Sequence, residues 1–387
     1  MRNKNIKKIM YVTSMNVIKI NDKYYCSNAA LPTLNRYIHN FGFIYLICRV
    51  HDKIEKNDRY FVEMPKEVEV LGESSYIKML RPRFLNVIKS TLKNTKFIFI
   101  HFPSIPSYLV AYYAKKMNIN YCSVVVGCTW DSFFNYSFIG KILAPFSFLI
   151  MKKYIRKSKY AIYVTKEFLQ NRYPCYCNSI NASNVYITEL NEEILLKRIK
   201  KIENYKDDHI YSLATCAAVD VKFKAQEDVI KAISKLKRKG KIFNYYLAGG
   251  GDQKYLKKIS RKYNVEKQVF FLGNLNNEQI NNLLDKIDIY IQPSKQEGLP
   301  RAVIEAMNRA CPVLGANTGG IPELIDKKYV FKKGRVNDIV KKIEEILKDD
   351  MKNVAKRNFE ESSKYLSSII DERRNNYYIK IKKENDL

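Results

Sequence analysis

Short apolar runs alternate with segments in which apolar residues recur every three to four positions, and this alternation continues from one end of the chain to the other. The runs at 7–14, 43–50, 96–102, 120–127, 160–165 and 184–188 in the first half read as strands. So do those at 210–216, 243–248, 269–273, 287–292 and 312–316 in the second. Strands separated by helical segments predict parallel sheets with helices packed on them. At 387 residues the chain exceeds what one core usually supports. The pattern therefore predicts an α/β protein of two Rossmann-like, doubly wound domains facing a cleft, with ligands at the carboxyl ends of the strands. The stretch 189–208, rich in Glu, Lys and Asn, separates the two sets. The expected units are residues 1–200, residues 201–365 and a charged helical tail at 366–387.

One run carries more chemistry than the rest: Ile287-Asp288-Ile289-Tyr290-Ile291-Gln292-Pro293-Ser294-Lys295-Gln296-Glu297-Gly298-Leu299-Pro300-Arg301-Ala302-Val303-Ile304-Glu305-Ala306. An apolar strand ends in a loop with a carboxylate and a glycine, and a helix begins at once. Pro300 suits the first helical position, where a missing N–H costs nothing. The free N–H groups of that helix start make an anion site. Glu297 sits just before it, and Glu305 about one and a half turns inside, leaning back toward it. A phosphate beside a carboxylate is what sugar transfer from a nucleotide requires. The plain alternative is that Val303, Ala306, Met307 and Ala310 face a core while Arg301, Glu305, Asn308 and Arg309 are its wet side.

The run continues through Cys311-Pro312-Val313-Leu314-Gly315-Ala316-Asn317-Thr318-Gly319-Gly320-Ile321-Pro322-Glu323-Leu324-Ile325. Over about forty residues it resembles the signature of the retaining glycosyltransferases of family 4, which have the GT-B fold; Glu297 and Glu305 meet the family's Glu-x7-Glu spacing. The resemblance implies that Glu297 serves the donor sugar and that Glu305 binds the ribose. It also implies that Gly298, Leu299 and Pro300 lie at the donor phosphates, and that a final helix crosses back to the first domain. Phe243 to Asp252 resembles the family's glycine turn, with Gly249 and Gly250 near the diphosphate. Val269 to Leu275 resembles the loop against the base, with Asn274 and Leu275 offering backbone groups. Lys224 matches the lysine that neutralises the diphosphate. Three departures stand out. Ala217, Ala218 and Val219 occupy the region of the family's arginine, leaving Lys222 as its substitute, although a lysine is not a bidentate fork. Ala225 replaces the glycine that usually follows the lysine. Tyr25-Cys26-Ser27-Asn28-Ala29-Ala30 stands where a Gly-Gly turn is usual.

In the first half, His101 ends an apolar run and Asp131 follows another, so the two compete for contact with the reacting sugar. Trp130, the only tryptophan, could stack on a sugar face. Thr165 reads as a helix cap.

Basic residues exceed acidic ones by 29. Residues 1–200 hold 31 against 13, an excess of 18, and the remaining 187 hold 37 against 26, an excess of 11. Lys152, Lys153, Arg156, Lys157 and Lys159 form a local cluster beside the apolar stretch Phe138–Met151, which Lys141 interrupts and which is too short to span a bilayer. Such a surface suits phosphates, anionic lipid headgroups or nucleic acid. The eight cysteines, several in apolar runs (Cys48, Cys122, Cys216), read as core residues in a reducing compartment. Cys175-x-Cys177 lacks the further ligands of a zinc site. No metal site and no resident cofactor are expected; a nucleotide sugar is the co-substrate. Met1 to Lys8 shows no cleavage-site pattern, so a cytoplasmic placement is expected, peripheral on the inner face of the plasma membrane. The expected function is metal-independent, retaining transfer of a sugar to a glycan or lipid-linked acceptor in cell-surface polysaccharide synthesis. Its rivals are another GT-B catalyst such as a sugar-nucleotide epimerase, and a basic nucleic-acid-binding protein. No nucleic-acid motif accompanies the charge, so no nucleic-acid partner is expected.

Overall fold

A computed structural model describes residues 8–28, 30–52 and 61–387. The opening residues read for a targeting signal, position 7 of the first expected strand, and Ala29 lie outside them.

Among the described residues the strands form two sheets. The first contains β1 (Lys8–Ile20), β2 (Lys23–Ser27), β3 (Ile44–His51), β4 (Phe61–Glu63), β5 (Val68–Glu73), β6 (Thr95–Phe102), β7 (Tyr121–Val125), β8 (Tyr160–Tyr163) and β9 (Asn178–Asn181). Its parallel body runs β5-β3-β1-β6-β7-β8-β9. Alternate residues of β6 enter opposite cores: Ile98, Ile100 and Phe102 on one face, Phe97 and Phe99 on the other. A sheet buried on both faces in this way needs a nearly continuous apolar strand. The second sheet contains β10 (Tyr211–Cys216), β11 (Phe243–Ala248), β12 (Val269–Gly273), β13 (Ile289–Gln292), β14 (Val313–Ala316) and β15 (Val330–Phe331). Its order is β12-β11-β10-β13-β14-β15, all parallel. This is the doubly wound order, and the order in which strands are added switches side between β10 and β13, where such sheets open a crevice.

The structure departs from the sequence pattern at the edges. β1 extends to Ile20 because its register breaks between Val12 and Asn16. Its second half then turns back through Asn21 and Asp22, both at positive φ, into the antiparallel β2; these two residue types tolerate that conformation. β9 is the polar run Asn-Ser-Ile-Asn and gives no apolar signal. The apolar run 184–188 is no sheet strand. Val185 and Ile187 instead plug into the second core, and Ile187 bridges to Leu366.

Helix Glu192–Glu203 straddles the boundary expected at residue 200, yet it packs whole on the second unit. Its buried Arg198 donates to the carbonyls of Leu284 and Ile287, both at 2.5 Å. The tail behaves as the resemblance implied. Helix Ser367–Asn385 returns to the first unit, where Ile370, Tyr377, Tyr378 and Ile381 join its core. Buried Arg374 fixes the crossing by donating to the carbonyls of Ala182 at 3.1 Å and Ser183 at 2.9 Å.

Candidate active site

The crevice of the second sheet holds a cavity of about 660 Å³, large enough for a nucleotide sugar. Its floor is the ends of β10 and β11, Cys216 to Ala218 and Ala248 to Gly251; Asn274 and Leu275 close one side. Gln292, Glu297, Leu299, Pro300, Arg301 and Glu305 close the other. Pro300 is the residue just before helix Arg301–Asn308 rather than its first. The free N–H groups of that helix start therefore open on the cavity wall. Glu305 lies one turn in with its carboxyl on the cavity; burial pushes its pKa up, while Arg301 pulls the other way. Gly250 permits the close approach of Asn274, since a Cβ there would stand 2.6 Å from its side-chain oxygen.

Glu297 is held from two directions. Its Oε1 accepts from Lys224 Nζ at 2.7 Å and from Gln292 Nε2 at 3.0 Å. Gln292 is buried, and its Oε1 accepts from the Tyr290 hydroxyl at 2.6 Å. Lys224 ends a short turn, Lys222–Lys224, and the backbone N–H of Lys295 donates to Phe223 O at 2.7 Å, tying that turn to the Glu297 loop. Ala225 takes the left-handed conformation at φ 56°, which is the one a glycine would adopt without strain. Gln292 was not singled out from the sequence, because a polar residue closing an apolar strand reads as a strand end. Asp220, also on the cavity, gave no signal either.

Several expected site residues stand elsewhere. Lys222 is exposed, with its ammonium 5.8 Å from the centre of the Tyr255 ring, and does not line the cavity. His101 is the penultimate residue of β6 and turns into an aromatic cluster, with Nε2 3.4 Å from the Tyr37 hydroxyl and its ring edge-on to Tyr11. Burial, with Arg374 and Arg36 nearby, lowers its pKa to about 3, so it is neutral at physiological pH. Asp131 is buried on a second cavity of about 380 Å³ between the two units, with Arg172, Thr318 and Lys333. Trp130 stacks on Phe134 and meets Phe148 edge-on. Cys216, expected in the core, is on the cavity wall; burial and Glu305 push its thiol up to about 12, so it stays protonated.

Gly298 faces the first unit. A Cβ there would lie 2.1 Å from Val126 O, so only glycine lets the two loops touch. The Glu323 carboxylate crosses the same divide, accepting from the N–H groups of Lys166 at 2.6 Å, Glu167 at 3.2 Å and Phe168 at 2.6 Å. Gln296 Nε2 donates to Ser132 Oγ at 2.8 Å, and Asn135 Nδ2 to Lys295 O at 3.2 Å.

Two facing doubly wound units, a nucleotide-sized cavity at the crevice of the second and a returning terminal helix form the architecture of the GT-B glycosyltransferases. Residues 198–364 match the model of glycosyl transferases group 1, a span that contains every cavity-lining residue. Over this span the chain is similar to the glycosyl transferases of group 1. Protein CapJ of Staphylococcus aureus is 29% identical over 371 residues, which cover 91% of this chain and 92% of that protein. The amylovoran biosynthesis glycosyltransferase AmsK of Erwinia amylovora is 36% identical over 104 residues, 25% of this chain and 26% of its own. In fold the chain is similar to a sucrose-phosphate synthase from Thermosynechococcus elongatus (TM-score 0.68, 13% identity, 97% of this chain and 99% of that one). It is also similar to Anabaena Alr3699/HepE in complex with UDP-glucose (TM-score 0.65, 15% identity, 96% and 99%).

Proposed function

We propose that this chain moves a sugar, with retention of anomeric configuration and without a metal ion, from a nucleotide sugar to a hydroxyl of a glycan or lipid-linked acceptor in cell-surface polysaccharide synthesis. The observation that carries the reading is the Lys224–Glu297 pair. It places a cation and a carboxylate 2.7 Å apart at the mouth of the cavity, beside a free helix start. The donor diphosphate fits the helix start and Lys224, the ribose fits Glu305, and the base fits Asn274 and Leu275. The sugar then projects past Glu297 toward the first unit. Supporting this reading, HepE is described in complex with UDP-glucose, and AmsK is named as a glycosyltransferase of amylovoran biosynthesis.

In the proposed step the bond between the anomeric carbon and the diphosphate oxygen breaks, and its electron pair leaves with the phosphate. The acceptor oxygen forms the new bond on the same face, and its proton passes to the departing phosphate oxygen. Positive charge developing on the sugar is met by Glu297, and negative charge on the phosphate by Lys224 and the helix start. These groups are fixed before reaction, which is what makes electrostatic stabilisation effective. We place the protein at the inner face of the plasma membrane, where a lipid-linked acceptor would present its hydroxyl.

The test is turnover with a panel of nucleotide sugars and acceptors, reading free nucleotide and the anomeric configuration of the product by NMR. Nucleotide release only with acceptor, and a product that keeps the donor's configuration, supports the reading. An inverted product refutes retention, and interconversion of nucleotide sugars without acceptor favours an epimerase.

A further inference from the structure

Helix Phe138–Arg156 is amphipathic the wrong way round. The residues it buries are mostly small: Gly140, Ala144 and Ser147, with Met151 and Ile155. Its large apolar residues point outward: Phe138 is 78% exposed, Ile142 57%, Phe146 62% and Leu149 61%, with Ile139, Leu143 and Ile150 between them. Their spacing draws one continuous stripe along the helix. Gly140 lets the helix lie close on the preceding turn, since a Cβ there would stand 2.1 Å from Phe133 O. A monomeric surface rarely leaves so long an apolar patch open without a partner.

The charge around the stripe is one-sided. From residue 74 to residue 166 the sequence has fifteen lysines and arginines and one carboxylate, Asp131. Among the described residues, Lys141, Lys152, Lys153, Arg156 and Lys157 make no ion pair. Lys115 and Lys153 crowd Lys157 closely enough to lower its pKa. The neighbouring helix Ile105–Lys116, which packs against this one, adds exposed Ile105 and Tyr112 together with Lys115 and Lys116.

We propose that helix Phe138–Arg156 docks the protein on an anionic lipid bilayer, lying in the plane of the headgroups with its apolar stripe in the acyl boundary and its terminal cations on lipid phosphates. Among the described residues no helix is long and apolar enough to cross a membrane, so the helix lies on the bilayer and does not span it. A second copy meeting this one through the same face would cover the stripe but set cation against cation, whereas an anionic leaflet supplies both an apolar layer and negative charge. The position has a consequence for the cleft. Asn135 and Ser132, just before the helix cap Ser137, are the residues that hold Lys295 and Gln296 beside Glu297. Docking would therefore tie the loop beside Glu297 to the membrane-bound element.

Co-sedimentation of the full chain with vesicles tests this without reading turnover, so its outcome is independent of the transfer reaction. Vesicles of phosphatidylcholine with phosphatidylglycerol are expected to bind the protein, and added salt to weaken binding. Phosphatidylcholine alone is expected to bind far less. The double variants Phe146→Glu/Leu149→Glu and Lys152→Glu/Lys153→Glu are each expected to lower the partition by about tenfold or more. All four positions lie outside the core, and an unchanged melting temperature verifies folding. As a second measurement, Phe146→Trp is expected to shift its emission to the blue on the anionic vesicles alone. The proposal is overturned if wild type ignores anionic vesicles, or if either double variant binds as wild type does. It is equally overturned by a lipid-free dimer that Phe146→Glu/Leu149→Glu dissolves, which would give the stripe to a second copy.

Discussion

Glu297 sits at the end of a chain of hydrogen bonds that starts in the core: Tyr290 to Gln292, Gln292 to Glu297, and Lys224 to the same carboxylate oxygen. A carboxylate held this firmly can meet charge that develops in a transition state, because it need not reorganise. Glu297→Gln keeps the volume and removes the charge. It is expected to cost kcat on the order of 10²–10³-fold at an unchanged melting temperature, on the scale of losing one oxyanion-hole donor; wild-type turnover in the folded variant would remove Glu297 from the mechanism. Lys224→Ala removes a charged donor to phosphate, worth roughly 1.5–3 kcal/mol. Donor KM should rise and kcat should fall, and unchanged steady-state kinetics would move the role to another cation. At this scale the sequence was most legible where a loop residue had no packing reason to be charged, as at Glu297. It was least legible where a side chain's direction decides its role. His101 lies one residue before the end of its strand, yet its ring turns toward Tyr11 and Tyr37, and no spacing in the chain encodes that rotation. Lys222 and Lys224 lie two residues apart on one tight turn and point to different places.

Helix Glu192–Glu203 and the segment around it show why some elements were readable and others were not. The inner strands β13 and β14 of the second sheet are buried along their whole length, so their apolar runs stood out, whereas β9 at the rim of the first sheet carries polar residues and did not. The boundary expected at residue 200 falls inside a helix because the polar Glu192–Glu203 segment resembles a linker, although a buried ionic cluster anchors its C-terminal end. Asp288 is 2% exposed and accepts from Ser212 N, Ser212 Oγ and Tyr205 OH at 2.8 Å, and from Lys201 Nζ at 2.8 Å. His209 Nε2 stands 3.0 Å from it. Burial alone would raise its pKa; Lys201 and Ser212 more than offset this and bring it below the ordinary carboxylate value. Its contribution to stability is therefore full above the unfolded pKa of about 3.9 and is lost as pH falls through the lower folded value. Asp288→Asn leaves Lys201 without its counter-charge and is expected to cost about 3 kcal/mol at neutral pH, a cost that shrinks toward pH 3. Urea melts of both proteins across that range would show it, and parallel pH profiles would contradict it. Helix Arg301–Asn308 makes a second element-scale statement. If its free start and Lys224 neutralise the leaving diphosphate, turnover should persist in excess EDTA. Loss of turnover that Mg²⁺ or Mn²⁺ restores would show that these groups do not suffice.

All residues lining the larger cavity, from Cys216 to Glu305, belong to the second unit, whereas the proposed acceptor side is the first. Binding the donor and completing the site are thus separable tasks of the whole molecule. What joins them is a narrow seam: Gly298 against Val126, Glu323 on the N–H groups of Lys166, Glu167 and Phe168, and the terminal helix returning to the first core. The sequence pattern and the resemblance showed two units and a crossing tail. They placed Gly298 at the donor, because a glycine's neighbour in the other unit cannot be read from its own segment. Gly298→Ala would put a methyl carbon 2.1 Å from Val126 O, and a backbone carbonyl on a packed loop cannot yield that far. The units must then separate at the seam, and a misplacement of about 1 Å at a reacting centre can cost roughly 10²-fold in rate. The expected result is nucleotide binding close to wild type, measured by calorimetry, with kcat down by about that factor. Glu323→Ala should act in the same direction by freeing the three N–H groups it caps. Loss of nucleotide binding in Gly298→Ala would instead put Gly298 in the donor site, and full turnover would mean that the seam does not position the reaction.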